Sequence, residues 1–308
     1  MCGLGILVAV ALAGQASQPA PKSVKDRLKS DNYTVTWGAV PNFDAGGVLE
    51  IGSGAGHGGV MEWLRFQPHP DRVDVLWIKF DEGWVPYESK WPPDHAPVTI
   101  WLASMKPAAY TSLLRDFATI SSAELKRVPS GSIGISTQDF WAYARLAAKD
   151  KTLLSLDWAG YYSTADEAEF AKPHLCGALA DEAAKGLIFK RHELTAAERA
   201  WASEKFARDW KTFKQQGSHW WVQERYLVTI GVVGDAAALP LLREIIVGDP
   251  VKPREKQEPP DRAEARKVYY AINAVTRLTK KDVRGKPVEE MDIERVRPKV
   301  LELLRDKK

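Results

Sequence analysis

Cysteine is nearly absent from this chain, which has two in 308 residues. Cys2 lies at the start of an apolar leader, so only Cys176 remains in the body and no internal disulfide can form there. In the context His174-Leu175-Cys176-Gly177-Ala178-Leu179 the thiol reads as a small buried side chain rather than a nucleophile. Long hydrophobic runs are also missing. Residues 3–13, GLGILVAVALA, are apolar and uncharged but too short to span a bilayer. They suit the h-region of a signal peptide, with small residues at Ala11-Leu12-Ala13 and Gly14-Gln15-Ala16 for cleavage, although no positive n-region precedes them. The expectation is a signal peptide over 1–16 and a flexible Gln-, Pro-, Ser- and Lys-containing leader over 17–31. It implies a secreted or periplasmic, cell-envelope protein with no integral membrane span after cleavage. A dominant charge is lacking as well: the formal net charge is +3, too small to argue for nucleic acid. That charge is uneven. From Lys252 onward 17 Lys/Arg face 11 Asp/Glu, which leaves the rest of the chain slightly negative.

Signatures of catalysis are scarce. Gly52-Ser53-Gly54-Ala55-Gly56-His57-Gly58-Gly59 is rich in glycine but lacks the Gly-Lys-Ser/Thr ending of a phosphate loop, and strands flank it; it reads as a hairpin loop that would expose His57. His69-Pro70-Asp71 copies the tripeptide of J-domains, yet it stands between strand candidates and reads as a turn. His57, His69, Asp71 and His95 share the strand-rich part without a metal-ligand spacing, so no metal site and no cofactor is expected. Ser130-Gly131-Ser132-Ile133-Gly134 is not Gly-x-Ser-x-Gly. Asp81-Glu82 and Glu167-Glu169 are ordinary surface pairs. No catalytic residue is assigned.

What is present is pattern. Alternating or β-branched runs at Tyr33–Trp37, Val48–Ile51, Val60–Phe66, Val73–Phe80 and Val98–Leu102, punctuated by Gly and Pro, predict an antiparallel sheet or a small barrel. Helices follow. Pro107 suits a first turn, with Tyr110, Leu113, Leu114 and Phe117 on one face. Thr137 is positioned to cap a helix carrying Phe140, Ala144 and Ala147. Residues 152–158, TLLSLDW, suggest a buried strand. Thr164 and Glu167 form a capping-box pattern for a helix that Pro173 should interrupt. Thr195 and Glu198 repeat the pattern before a helix striped by Ala202, Phe206, Trp210 and Phe213, with Gly217 as its stop. The fold class expected is α+β, with one domain over 32–216 and an all-α module over 218–308.

That last module has the clearest architecture. A helix through WWVQERYLVTIGVV meets Gly234-Asp235, where Gly tolerates a left-handed turn and Asp caps the next helix. Leu239, Leu242, Ile245 and Ile246 then mark one apolar face, ended by Gly248-Asp249-Pro250. Residues 262–278 and 292–305 make a second pair joined by a longer connection, with Val300, Leu303 and Leu304 repeating the apolar spacing. On Ile230–Asp235 followed by Leu239–Leu242 the module resembles a HEAT-like repeat, an α-solenoid unit. The resemblance implies protein–protein contact and carries no catalytic motif.

Of the 12 tryptophans, eight fall between Trp37 and Trp158. Trp77, Trp101 and Trp141 sit in element candidates and should be core. Trp84, Tyr87 and Trp91 lie in GWVPYESKWPP, where either packing under a loop or an exposed ligand-binding patch is open. The function expected is that of an exported, non-catalytic protein that binds an unidentified protein partner through 218–308. The alternatives are a hydrolase with its site near 52–59 and 68–72, or a ligand binder using Trp84, Tyr87 and Trp91.

Overall fold

A computed structural model of the chain describes residues 23–29, 33–55, 61–80, 97–128, 139–149, 151–161, 167–216, 220–248, 262–281 and 293–305. The fold is mixed: strands come first and helices follow. A short helix α1 (Val24–Arg27) precedes β1 (Tyr33–Trp37), and β1 pairs antiparallel with β6 (Ala123–Arg127) in a two-stranded ribbon. The main sheet has seven strands in the order β8-β7-β2-β3-β4-β5-β9, and every neighbour is antiparallel. Its members are β2 (Val48–Ala55), β3 (Met61–Pro68), β4 (Val73–Phe80), β5 (Val98–Met105), β7 (Asp139–Ala148), β8 (Lys151–Tyr161) and the two-residue β9 (Lys190–Arg191). The sheet is open, with β8 and β9 at its edges, so it is not the barrel the strand pattern also allowed.

Both faces of the sheet are buried, which is why its strands read as broad apolar runs. On one face Met61, Trp63, Ile78, Phe80, Trp141 and Tyr143 join a core with α4 (Ala196–Gln216) and α5 (Trp220–Val233). On the other, Leu49, Leu64, Phe66, Val75 and Leu146 pack with α2 (Pro107–Ser121) and α3 (Glu167–Lys185). As expected, Tyr110, Leu113, Leu114 and Phe117 form the buried stripe of α2. Tyr110 stacks on Phe66, and its hydroxyl donates to the carbonyl of Gly47 at 2.6 Å.

Three expectations fail here for physical reasons. The helix expected after Thr137 is strand β7. Trp141, Tyr143 and Arg145 share one face with Gly54, Gly52 and Glu50 opposite them, while Ala142, Ala144 and Leu146 share the other. A strand buried on both faces loses the period-two signal, and Phe140, Ala144 and Ala147 fall at helical spacing by default. Pro173 does not interrupt α3, which runs through it. Leu175, Cys176, Leu179 and Ala180 anchor the rest of that helix on the sheet, offsetting one lost backbone hydrogen bond. Gly234 does not take the left-handed conformation. It is required instead by crowding, because a Cβ there would stand 2.6 Å from the carbonyl oxygen of Ile230 and 3.1 Å from the hydroxyl of Ser203. The described glycine with a positive φ is Gly248, at 71°, closing α6 (Leu239–Val247). The expected strand at 152–158 does form as part of β8, but as an edge strand in which Leu154 and Trp158 are buried and Ser155 and Asp157 are exposed.

The capping box at Thr195 is realised in full. Glu198 accepts from the Thr195 backbone N–H at 2.7 Å, and the Thr195 hydroxyl accepts from the Glu198 N–H at 3.3 Å. Asp235 likewise accepts from the Ala237 N–H at 2.9 Å, opening a 3-10 turn (Ala236–Ala238) ahead of α6. Helices α7 (Arg262–Thr279) and α8 (Ile293–Arg305) complete the array. Helix α5 packs along α7, and α6 contacts both α7 and α8. Gly231 permits the first approach: a Cβ there would lie 2.9 Å from the backbone of Ala274. The buried cluster is continuous from Trp63 on the sheet through Phe206 of α4 and Tyr226 of α5 to Ala274 and Val300, across residue 217.

Candidate functional site

Three places concentrate chemistry. The first is the seam between the sheet and α4. Lys205 and Asp209 are one helical turn apart, 1% and 2% exposed, with Lys205 Nζ 2.6 Å from Asp209 Oδ2. The ammonium lies within 6 Å of the ring centres of Trp63, Tyr143, Phe206 and Tyr226, a cation–π cage. Tyr226 donates its hydroxyl proton to Asp209 at 2.6 Å, and Arg145 of β7 donates to the other carboxylate oxygen at 2.6 Å. Arg145 also reaches Asp157 of β8. Nearer the surface, Glu50 accepts from Trp201 Nε1 and from Arg208 at 2.7 Å, and the Arg65 guanidinium covers the Trp201 ring at 4.5 Å.

Burial pulls the Lys205 ammonium below its ordinary value, against the pull of Asp209. Burial alone would raise the Asp209 carboxyl, but Lys205 and Arg145 outweigh it and hold it below the usual carboxylate range. The geometry pairs Lys205 and Arg145 with the one Asp209 carboxyl. A lysine, a carboxylate and a tyrosine could do acid–base chemistry, yet this set is enclosed by the rings that hold it. Its evident work is to fasten α4 and α5 to the sheet. Gly52 and Gly54, which open the glycine-rich run, serve the same seam. A Cβ at Gly52 would stand 2.6 Å from Trp141 Cζ3 and one at Gly54 2.8 Å from Met61 Cγ, so β2 gives up side chains where Trp141 and Tyr143 lie across it. The sequence held a signal for this site. Residues 202, 205, 206, 209 and 210 form one helical stripe, and two of them are oppositely charged.

The second place is on the other face. Trp77 Nε1 donates to Glu62 Oε2 at 3.0 Å, and Lys79 stands opposite Glu62 in the strand register. Asp181 of α3 is half-buried, and burial first, then the charge of Glu62, raises its carboxyl to about 6. The third is the outer surface of α6 and α8. Arg243, Glu244 and Val247 are exposed on α6, and Arg295, Lys299, Glu302 and Arg305 on α8, with Val247 at 51%.

The residues singled out in the sequence scatter. Trp84, Tyr87 and Trp91 lie outside the described residues, as do His57, His95 and Ser130–Gly134. His69-Pro70-Asp71 forms the hairpin turn between β3 and β4, closed by His69 N–H donating to the Arg72 carbonyl at 2.8 Å, with His69 Nε2 3.0 Å from Asp74. Ala55 and Met61, which bracket His57, and Phe80 and Val98, which bracket His95, lie at the opposite end of the sheet. One eight-residue strand separates the two ends, about 25 Å. His69 and Asp71 are thus set apart from Ala55, Met61, Phe80 and Val98, the described strand ends that flank the segments holding His57 and His95. Among the described residues no group of three or more His, Cys, Asp or Glu could hold a metal ion. Cys176 is fully buried and burial raises its thiol, which fits the small-core reading. No described helix is long and apolar enough to cross a membrane. The chain matches no protein-family model, no curated protein and no solved structure.

Proposed function

We propose that the protein is exported and acts without catalysis, as an interaction protein whose α5–α8 array is HEAT-like in build and docks a protein partner. The observation that supports this reading most is the packing of the array. Two successive helix pairs stack with α5 on α7 and α6 on α8; the described side chains of α5 and α7 are buried or half-buried, and α6 and α8 each keep one face in solvent. Repeat modules present such outer faces to partners. The buried Lys205–Asp209 pair is, by contrast, enclosed between sheet and α4.

The test uses the full chain, because removing residues 218–308 would strip Tyr226 from Trp63 and Phe206 and open the core. Cross-linked capture from the producing cells compares the native chain with Val247→Glu on α6 and with Lys126→Glu on β6. A species kept by native protein and Lys126→Glu but lost by Val247→Glu, with melting unchanged, is the expected result. If all three capture the same species, or none does, the reading fails.

A second reading, hydrolysis within 32–216, draws on the raised carboxyl of Asp181, since a carboxyl that burial and the charge of Glu62 keep protonated to higher pH suits acid–base work. Turnover of a substrate that disappears in Asp181→Asn is its expected signature, and equal turnover by Asp181→Asn and the native chain would end it.

A further inference from the structure

We propose that β8, the open edge of the main sheet, pairs antiparallel with β8 of a second copy of this chain, about a two-fold axis at Leu156. This goes beyond the α5–α8 reading and does not depend on it. The two edges of the sheet are finished differently. At one, β9 pairs with Trp101 and Leu102 of β5, and the His192 N–H donates to the Ile100 carbonyl at 3.1 Å. At the other, β8 runs for 11 residues and pairs with β7 alone among the described elements. Residues 151–158 make no backbone hydrogen bond beyond β7 among the described residues. A row of free N–H and C=O groups is a template for another strand.

Open edges are commonly blunted by charge, proline or a bulge. Along 154–161 those devices are weak. The register shift against β7 falls between Leu146 and Ala147, close to the hairpin turn, and the pairing of 154–161 is regular. No proline lies in β8. The one charge in 154–161, Asp157, is already held by Arg145 and by the Ser155 hydroxyl, which donates to it at 2.8 Å.

The side-chain order about Leu156 names the occupant. Leu154 and Trp158 are buried on the α3 side, where Leu156 also packs and where the Trp158 ring lies 4.8 Å from that of Phe170. Ser155 and Asp157 are exposed on the other face, beside Arg145, which binds Asp209 of α4. An antiparallel copy centred on Leu156 sets Leu154 against Trp158, Ser155 against Asp157 and Leu156 against itself. Apolar then meets apolar on one face, and a hydroxyl donor meets a carboxylate on the other. A shift of one residue would set Leu154 against Asp157, and centring on Asp157 would oppose two carboxylates. The join also has room. Helix α3 packs chiefly on β7, so three strand spacings, about 14 Å, separate the two copies of α3, more than the roughly 8–10 Å of helices in contact.

Sedimentation of the full chain across a wide range of protein concentration tests this, with the melting of every variant measured alongside. We expect a concentration-dependent dimer. Ser155→Asp opposes carboxylates at both ends of the join and should weaken the dimer about tenfold, whereas Ser155→Lys meets Asp157 with a cation and should keep it. In a Cys2→Ser chain, whose remaining Cys176 is buried, Leu156→Cys should link two chains under oxidised glutathione, since opposed Cα atoms stand about 4.5–5.5 Å apart, within disulfide reach. Lys126→Cys on the ribbon should not. Should Ser155→Asp fail to fold, Ser155→Lys and Leu156→Cys still decide the matter. A native chain that stays monomeric overturns the proposal, and so does a dimer that folded Ser155→Asp leaves unchanged or that Leu156→Cys does not link. The Val247→Glu capture test reads a different surface, so the two claims fail separately.

Discussion

The seam between the sheet and α4 and the outer surface of α6 and α8 place charge differently. In the first, cations are spent on internal fastening: Arg145 and Lys205 converge on Asp209, and Arg208 and Trp201 converge on Glu50. In the second, exposed cations stand on a framework held by apolar packing of Leu242, Ile246, Val275 and Val300. The lesson is that the same residue types do different work according to burial. A buried pair fixes geometry and is costly to split, whereas a half-solvated cation contributes little to the fold and is open to a partner. Substitutions in the two regions should therefore separate cleanly by size.

The largest effect belongs to Asp209. Asp209→Ala leaves Lys205 with an uncompensated buried charge, strips Arg145 of one of its two carboxylates and removes the Tyr226 acceptor, so we expect a loss of about 3–5 kcal/mol in urea unfolding. The pH dependence has a definite sign. Burial opposes ionisation of Asp209, but Lys205 and Arg145 prevail and lower its folded value. The unfolded chain then binds the proton more readily, so the stabilisation is present above the unfolded value of about 3.9 and fades as pH falls through the folded one. The gap between native chain and variant should narrow in that acidic window. A loss below about 1 kcal/mol at neutral pH would mean that the seam is not held by charge.

Part of this contrast was legible in the sequence. Five strands, helix α2, the Thr195–Glu198 box and both helix pairs of the array follow from local period and capping, which act within a few residues. The β7 strand did not, because burial on both faces erases alternation and only the sheet supplies its second partner. The seam was half visible. Lys205 and Asp209 interrupt an apolar stripe, but Arg145, Tyr143 and Trp63 arrive from strands far away in sequence, and spacing along one helix cannot name them. The glycines at 52 and 54 misled for the same reason. They answer to Trp141 and Tyr143, which lie nearly 90 residues on, rather than to a ligand.

Close approach offers a middle-sized test in both regions at once. Gly52→Ala drives a methyl into Trp141 and Tyr143, and Gly231→Ala pushes α5 off the backbone of α7 at Ala274. Each should cost about 1–3 kcal/mol in denaturant unfolding, since overpacking forces neighbours out of their rotamers or their helix out of register. If Gly231→Ala were neutral while Gly52→Ala were not, the array would be looser than the sheet seam.

A smaller change of opposite sign belongs to Asp181. Burial and Glu62 raise its carboxyl to about 6, so the folded state holds the proton more tightly than the unfolded chain. Stability therefore falls as pH rises from about 3.9 to 6, and the ionised form weighs on the fold at pH 7. Asp181→Asn should then melt higher than the native chain at pH 7, by about 1 kcal/mol after discounting for partial exposure, and equally at pH 4. A variant that is no more stable at pH 7 would show that Glu62 and its neighbours do not act on Asp181 in this way.

The smallest effect is the one that sharpens the comparison most. Lys299→Ala on α8 removes an exposed ammonium that no described acid pairs with, and it leaves Val296, Val300 and Leu304 in place. Truncation at such a position ordinarily falls within about 0.5 kcal/mol, and alanine is the better helix former. Unchanged melting would leave Lys299 outside the forces that hold the fold. A clear loss of stability would instead make Lys299 part of the fold, and the division between fastening charge and offered charge would collapse.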